Sequence, residues 1–264
     1  MPPSSTLVSA LIVCQNEQAL IAKCLESVSF CAEIVVIDSG STDGTIEIIE
    51  RYQQRGYPIR LMHHAWSGYG PQKQFALDQA SMPWSLIVDA DERIDDDLRT
   101  SIMSIVADDR SPINGWRLRR RDWLAGYGQA HRHVVHNRIL RLFRSGKVKI
   151  DPETPIHETF LVEGPTSLIS RGLLLHMRNL SIEDDLARAS TYARQKATNK
   201  LRQGVKPSVI HLCLTPPYTF IKFYLLKRYF LCGRAGFIYS MMMMIYSFLT
   251  EAKLHRISSQ DATR

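Results

Sequence analysis

The sequence predicts an α/β protein with a largely parallel sheet and helices on both of its faces. Short apolar, β-branched runs alternate with stretches of helical spacing through the first hundred residues. This alternation favours parallel strands joined by right-handed crossovers. The run at residues 85–88 then ends in Asp89, Asp91 and Glu92. Acids at the carboxyl end of a buried strand lie where open α/β sheets bind their ligands.

The individual elements follow from the same patterns. Apolar runs predict strands at 7–13, 33–37, 59–62 and 85–88, and alternation predicts further strands at 116–119 and 138–143. Helical spacing predicts helices at 16–28, 45–54, 71–80 and 95–107, and a last helix of this half after Ser181. Asn16 is the expected N-cap of the first helix. Residues 173–176 form an apolar run that ends in a histidine.

The acids of residues 89–92 need partners, because isolated ionised carboxylates are too costly in a dry interior. They are expected to face water, a cation or a positively charged ligand. A divalent cation that bridges carboxylate and diphosphate oxygens fits this position. The alternative is a solvated turn whose acids cap the following helix.

A second acidic loop follows the strand at 33–37. Asp38 lies at the strand end, and Gly40 and Gly44 allow a tight turn and close approach of the backbone to a ligand. Such a loop commonly serves only as a turn and helix cap. Two strands that end in acidic loops suggest a nucleotide across the sheet edge, with a metal beneath its phosphates.

Three motifs together resemble the inverting family 2 glycosyltransferases: Leu-Ile-Val-Cys-Gln-Asn-Glu, Val-Ile-Asp-Ser-Gly-Ser-Thr-Asp-Gly-Thr and Val-Asp-Ala-Asp-Glu. The resemblance is nearest to bacterial enzymes that add glucose to heptose in the lipopolysaccharide inner core. It implies a GT-A fold, a UDP-hexose donor and Mg²⁺ or Mn²⁺. It assigns Asp38 to the nucleotide base, Asp89 to ribose and Asp91 to the metal. Asp43 and Lys73 join the expected donor-binding residues.

The catalytic base is expected in Pro-Ile-His-Glu-Thr-Phe, residues 155–160. Inverting transfer needs one group that takes the proton of the acceptor hydroxyl. The resemblance makes Glu158 the candidate base, with His157 beside it. A surface pair next to a turn is the alternative. His176 is a candidate third metal ligand, although a histidine with a purely structural role is an equal alternative.

The bulk composition restricts the partners and the compartment. The formal net charge of +7 favours acidic partners, and residues 110–149 hold eleven Arg and Lys against one acid. This basic stretch is expected to meet phosphorylated sugar or anionic lipid. No nucleic-acid-binding signature is present, so nucleic acid is not expected. Five cysteines without a CxxC pair and an N-terminus without signal-peptide character predict a cytoplasmic protein.

We expect a catalytic domain at residues 1–205 and a membrane-associating helical segment with a polar tail at 206–264. The second segment is apolar with interspersed basic residues, which fits helices lying on the inner face of the inner membrane. A helical cap or a dimer interface is the alternative. The expected acceptor is a lipid-linked saccharide. Transfer to polyprenyl phosphate, and a non-catalytic membrane adaptor that keeps the GT-A fold, are the alternative functions.

Overall fold

The computed structural model describes residues 7–108, 110–151, 160–178 and 181–261. For residues 260 and 261 it describes the backbone only. Its strands in chain order are β1 (Val8–Cys14), β2 (Glu33–Asp38), β3 (Ile59–His63), β4 (Trp84–Ile87), β5 (Glu92–Ile94), β6 (Gly115–Leu124), β7 (Gly128–Gln129), β8 (Asn137–Arg144), β9 (Val148–Ile150), β10 (Phe160–Val162), β11 (Thr166–Leu168) and β12 (Leu174–His176).

The α-helices are α1 (Ile21–Ser27), α2 (Thr45–Gln54), α3 (Tyr69–Asp78), α4 (Asp96–Val106), α5 (Ile182–Arg202), α6 (Val209–Ile221) and α7 (Gly233–Asp261). A π-helical turn, Lys222–Leu226, and a 3₁₀ turn, Tyr229–Cys232, connect α6 to α7. The predicted strands and helices of the first hundred residues are present, with ends that differ by a few residues.

The main sheet has the strand order β3-β2-β1-β4-β8-β6-β12-β5 in the described part of the chain. Strands β3, β2, β1 and β4 run parallel, whereas β8 pairs antiparallel with both β4 and β6. The carboxyl ends of β2 and β4 therefore lie at the same edge, with β1 between them. This edge carries both acidic loops.

The inner parallel strands β1, β2 and β4 are buried at nearly every position because both faces of the sheet are covered there. Ala10 and Ile12 of β1 belong to one core cluster, and Leu11 belongs to another. Such alternation follows from the two-residue repeat of a strand. The first cluster includes side chains of α1 and α2, and the second includes Ala76 of α3. Helices on both faces were predicted, and the structure shows them.

The expected N-cap of the first helix, Asn16, was wrong. The N-cap position of α1 is occupied by Leu20, whose side chain makes no capping hydrogen bond. Asn16 instead has a positive φ of 56° and accepts a hydrogen bond from the backbone N–H of Thr42 at 2.8 Å. Its side chain therefore fixes the loop after β2 rather than the start of the helix.

The short pair β5 and β12 depends on a close approach at Gly172. The φ of Gly172 is +89°, and a Cβ atom there would lie 2.1 Å from the backbone N of Leu98, in the first turn of α4. Only glycine fits so close to another backbone. The turn brings β12 onto β5 antiparallel, with His176 opposite Glu92. The histidine thereby reaches the central acids.

By packing, the chain divides into two compact units: Met1–Arg121 with Asn137–Arg178, and Asp122–His136 with Asn179–Arg264. The predicted boundary lies at residue 205, whereas α5 groups here with the later helices. Lys200 Nζ of α5 lies 2.5 Å from Glu251 Oε1 of α7, and Lys253 Nζ donates to Ser190 Oγ at 2.7 Å. These contacts between α5 and α7 account for the difference.

Candidate functional site

The first site feature is the carboxylate of Asp89, just beyond β4. Its Oδ1 lies 2.7 Å from Nζ of Lys73, and its Oδ2 lies 2.6 Å from Nη2 of Arg141. Lys73 and Arg141 are each only 5% exposed. Burial alone would raise the pKa of Asp89, but the charges of Arg141 and Lys73 outweigh burial and hold it well below its usual range. Asp89 is therefore ionised and held between two cations.

Glu92 lies beneath this pair and is fully buried. Its Oε2 accepts a hydrogen bond from the backbone N–H of Asp89 at 3.0 Å, which closes the turn between β4 and β5. Its Oε1 lies 3.5 Å from Arg141 and 3.7 Å from Arg120. Burial raises the pKa of Glu92, and the two arginines act against that rise. Glu92 thus supports the turn from inside, with two arginines rather than water beside its carboxylate.

Asp91 forms the other half of the site. Its Oδ2 lies 3.3 Å from Nε2 of His176, and the same oxygen contacts Nε of Arg178. Arg178 also reaches Glu17, with 2.5 Å between Nη2 and Oε1. Burial acts to raise the pKa of Asp91, but the hydrogen bond from His176 and the charge of Arg178 lower it to about 2. The predicted metal residues Asp91 and His176 are therefore neighbours.

The possible metal ligands around Asp91 fit a divalent cation only in part. In the residues that the structure describes, no cluster of three or more His, Cys, Asp or Glu side chains is arranged to hold a metal. Asp91 and His176 supply one carboxylate and one imidazole. Metal sites that complete their coordination with substrate phosphates use such small protein sets. The pair suits a cation that arrives with a diphosphate.

The conformation of the loop after β2 is held largely by hydrogen bonds to its own aspartates. Asp38 is 4% exposed, and its Oδ2 accepts hydrogen bonds from the backbone N–H groups of Gly40 at 2.8 Å and Ser41 at 3.0 Å. Asp43 Oδ1 accepts from the backbone N–H of Thr45 at 3.0 Å, at the start of α2. Both acids therefore shape the loop. Their predicted contacts with a nucleotide stay predictions.

The predicted base and its neighbour, Glu158 and His157, lie outside the described residues. Their roles stay predictions that rest on the sequence.

The profile of glycosyl transferase family 2 matches residues 9–174, which include nearly all of β1, both acidic loops and the strands from β2 to β11. The chain belongs to this family. The predicted family and the enzyme class, glycosyltransferase, are therefore confirmed.

Two relatives match this family 2 glycosyltransferase over nearly its whole length. The lipopolysaccharide core biosynthesis glycosyltransferase LpsC of Rhizobium meliloti (strain 1021) is 42% identical, over 94% of this chain and 92% of LpsC. An uncharacterized glycosyltransferase of Rickettsia bellii (strain RML369-C) is 30% identical, over 97% of this chain and 90% of the relative.

Solved structures confirm the GT-A fold. The mannosyltransferase PcManGT from Pyrobaculum calidifontis, in complex with GDP-Man and Mn²⁺, is similar with a TM-score of 0.57 and 14% identity. The match covers 96% of this chain and 89% of PcManGT. Residues 1–349 of S. aureus TarS in complex with UDP give a TM-score of 0.50 and 15% identity, and the match covers 95% of this chain and 91% of that fragment.

Sequence reasoning missed three members of the site. Arg141 has no assigned role in the sequence analysis, because its partner depends on the antiparallel pairing of β8 with β4. Arg178 carries no local signal, because only the pairing of β12 with β5 brings it to Asp91. Glu17 is the last residue of the first family motif, and the sequence analysis assigned it no role. Its contact with Arg178 joins the loop after β1 to the central acids.

The first prediction concerns Arg141, which contacts both Asp89 and Glu92. Arg141→Met leaves Glu92 fully buried with less compensating charge, and breaking a buried ion pair costs roughly 3–5 kcal/mol. We expect a clearly lower melting temperature in differential scanning calorimetry. Arg171→Met is the matched control, because the ion pair of Arg171 with Asp97 is exposed at 74% and 57% and such pairs contribute about 0–1 kcal/mol. Equal melting temperatures for the two variants would contradict this assignment.

Proposed function

We propose that this glycosyltransferase moves a hexose, with inversion, from a UDP-sugar to a sugar hydroxyl of the lipopolysaccharide core. The observation that carries the proposal is the 42% identity to LpsC along almost the whole of both chains, because that relative is named for lipopolysaccharide core biosynthesis. Glucose is the first donor sugar to test, and an inner-core heptose is the first acceptor.

The geometry of the site supports a nucleotide-sugar donor. Asp89 and the loop after β2 lie at one sheet edge, where an α/β sheet binds ligands. PcManGT, which shares the fold, was solved with GDP-Man, and TarS with UDP. In this chain Lys73 would stand near the diphosphate as a point charge. Asp38 and Asp43 would hold the loop that receives the nucleoside.

Asp91 and His176 would hold the divalent cation. When bound, such a cation offsets the charge that develops on the departing diphosphate. PcManGT contains Mn²⁺, which supports a metal in this chain. Arg178 has a separate role, because its contacts with Asp91 and Glu17 fix the direction of the Asp91 carboxylate.

Glu158 would act as the base. Inverting transfer is a direct displacement, so the enzyme needs no nucleophile and one proton acceptor suffices. Asp89 and Asp91 are committed to cations on the donor side. Glu158 then accepts the proton of the acceptor hydroxyl as its oxygen attacks C1 of the sugar.

Transfer of radiolabelled glucose from UDP-glucose tests the function and the base together. The acceptor is deacylated lipopolysaccharide from a strain that lacks this enzyme. We expect wild-type protein to label the core saccharide. Glu158→Gln keeps the shape of the side chain and removes its basicity. It is expected to lower turnover by roughly 10²–10⁴-fold, with UDP affinity in calorimetry nearly unchanged.

Glu163→Gln is the control for that assay, since Glu163 is 72% exposed and its ion pair with Lys147 is on the surface. It should turn over like wild type. Normal turnover in Glu158→Gln, with loss in Asp151→Asn or Glu153→Gln, would assign the base to another carboxylate. When polyprenyl phosphate replaces the saccharide in the assay, label in an acid-labile lipid product would favour polyprenyl phosphate as the acceptor. Failure to bind any UDP-sugar would favour the adaptor.

We also propose that the second unit rests on an anionic membrane surface at the cytoplasmic face. Apolar side chains at helical spacing on α6 are strongly exposed: Ile210 at 67%, Leu214 at 62% and Tyr218 at 57%. The segment Val209–Leu226 is long and apolar enough to cross a membrane by length and composition, with mean hydropathy 1.2 over 18 residues. Lys222 lies inside it and Lys227 follows it, which favours a position among lipid headgroups.

Sedimentation with vesicles tests the membrane proposal. We expect binding to phosphatidylglycerol–phosphatidylethanolamine vesicles, weaker binding to phosphatidylcholine, and release by salt. Ile210→Asp with Leu214→Asp should abolish binding, because each buried leucine or isoleucine is worth about 1.5–3 kcal/mol. Leu161→Asp, at a 53% exposed position of β10, is the control. Equal sedimentation of all three proteins would contradict the proposal.

A further inference from the structure

Two exposed aromatic side chains lie together at the start of α3: Trp66 in the loop after β3, and Tyr69, the first residue of the helix. Trp66 is 46% exposed and Tyr69 is 38% exposed. Their ring centroids are 4.8 Å apart and their planes meet at 87°. Large aromatic groups are usually buried when their role is packing. An exposed pair in contact therefore provides apolar surface that a ligand can cover.

A buried glutamine holds the loop that carries this pair. Gln72 is fully buried, and its Nε2 donates to the carbonyl oxygen of His64 at 2.7 Å and to Ser39 Oγ at 2.8 Å. Its Oε1 lies 2.7 Å from His64 Nδ1 and 3.3 Å from Ser67 Oγ. The loop is thereby tied both to α3 and to the loop after β2. A surface fixed in advance loses little entropy when it binds a ligand.

The aromatic pair lies close to the donor side of the site. Tyr69 and Lys73 are four residues apart on α3, so their side chains lie on the same helix face. Lys73 Nζ in turn contacts Asp89 at 2.7 Å. At the same helix end, a Cβ atom on Gly70 would lie 3.3 Å from Ile150, the last residue of β9. Tyr69 thus lies one helical turn from Lys73, which contacts Asp89, and next in sequence to Gly70, which lies beside the end of β9.

We propose that Trp66 and Tyr69 form a binding platform for a sugar ring of the acceptor. This inference rests on the proposed function. A pyranose presents a flat face of C–H groups that packs on an aromatic ring, while its hydroxyls reach the indole N–H and the phenol. The cations around Asp89 attract the donor diphosphate instead. The β9 side favours the acceptor, because the chain continues from Ile150 towards the predicted base in sequence.

Kinetics with the core saccharide acceptor and UDP-glucose test the platform. For Trp66→Ala we expect the acceptor KM to rise about tenfold, which corresponds to about 1.4 kcal/mol. The donor KM and the affinity for UDP in calorimetry should stay at wild-type values. Trp66→Phe keeps a ring and should recover most of the acceptor affinity. Leu7→Ala is the control. Leu7 is 44% exposed, but it precedes β1 and so lies at the sheet edge opposite to the acidic loops.

Two results for Trp66→Ala would overturn the platform. One is an unchanged acceptor KM. The other is a lower affinity for UDP, which would place the nucleotide base on Trp66 and Tyr69 instead. Wild-type protein that labels no core saccharide would instead contradict the proposed function. The platform is then judged by direct binding of the same saccharide. We expect the saccharide to quench the tryptophan fluorescence of wild-type protein, and this quenching to disappear in Trp66→Phe. Quenching by the saccharide that persists in Trp66→Phe would refute the inference.

Discussion

Concentrated negative charge at the end of the central strand is the constraint on which this structure depends. Asp89, Asp91 and Glu92 follow β4 within five residues; Asp91 and Glu92 are buried, and Asp89 is partly buried. Carboxylates in such a place are stable only with cations beside them. The fold supplies these cations from distant parts of the chain: Lys73 from α3, Arg120 from β6, Arg141 from β8 and Arg178 after β12. The ion pairs thus fix the positions of four elements around one turn.

The balance of charge in this network bears on how a donor would bind. With each group in its usual charged state, the four cations face four acids, because Glu17 joins the other three through Arg178. A diphosphate brings two negative charges and finds no excess of positive charge here. A divalent cation that binds with it would leave the balance unchanged. The network therefore supports the proposal that the donor binds as a complex of metal and nucleotide sugar, with Asp91 and His176 as the proposed metal ligands.

Sequence reasoning succeeded where local pattern and burial coincide. The strands of the parallel half are apolar on both faces, so β1, β2 and β4 could be predicted together with the acids that follow them. Pairing between distant segments could not be predicted. The three-residue strands β5 and β12 are too short to show periodicity, yet they bring His176 and Arg178 to Asp91. Asn16 was misread because its cap-like position serves a different loop.

The most direct test of this account is a Mn²⁺ titration followed by electron paramagnetic resonance, with and without UDP. If the metal and the nucleotide share the site at Asp91, UDP should strengthen Mn²⁺ binding by roughly tenfold or more, and Mn²⁺ should strengthen UDP binding equally. Asp91→Asn should abolish this coupling. Asp97→Asn, at a carboxylate that is 57% exposed on α4, should preserve it. UDP binding that is equally tight in the presence of a chelator, or full coupling in Asp91→Asn, would contradict the account.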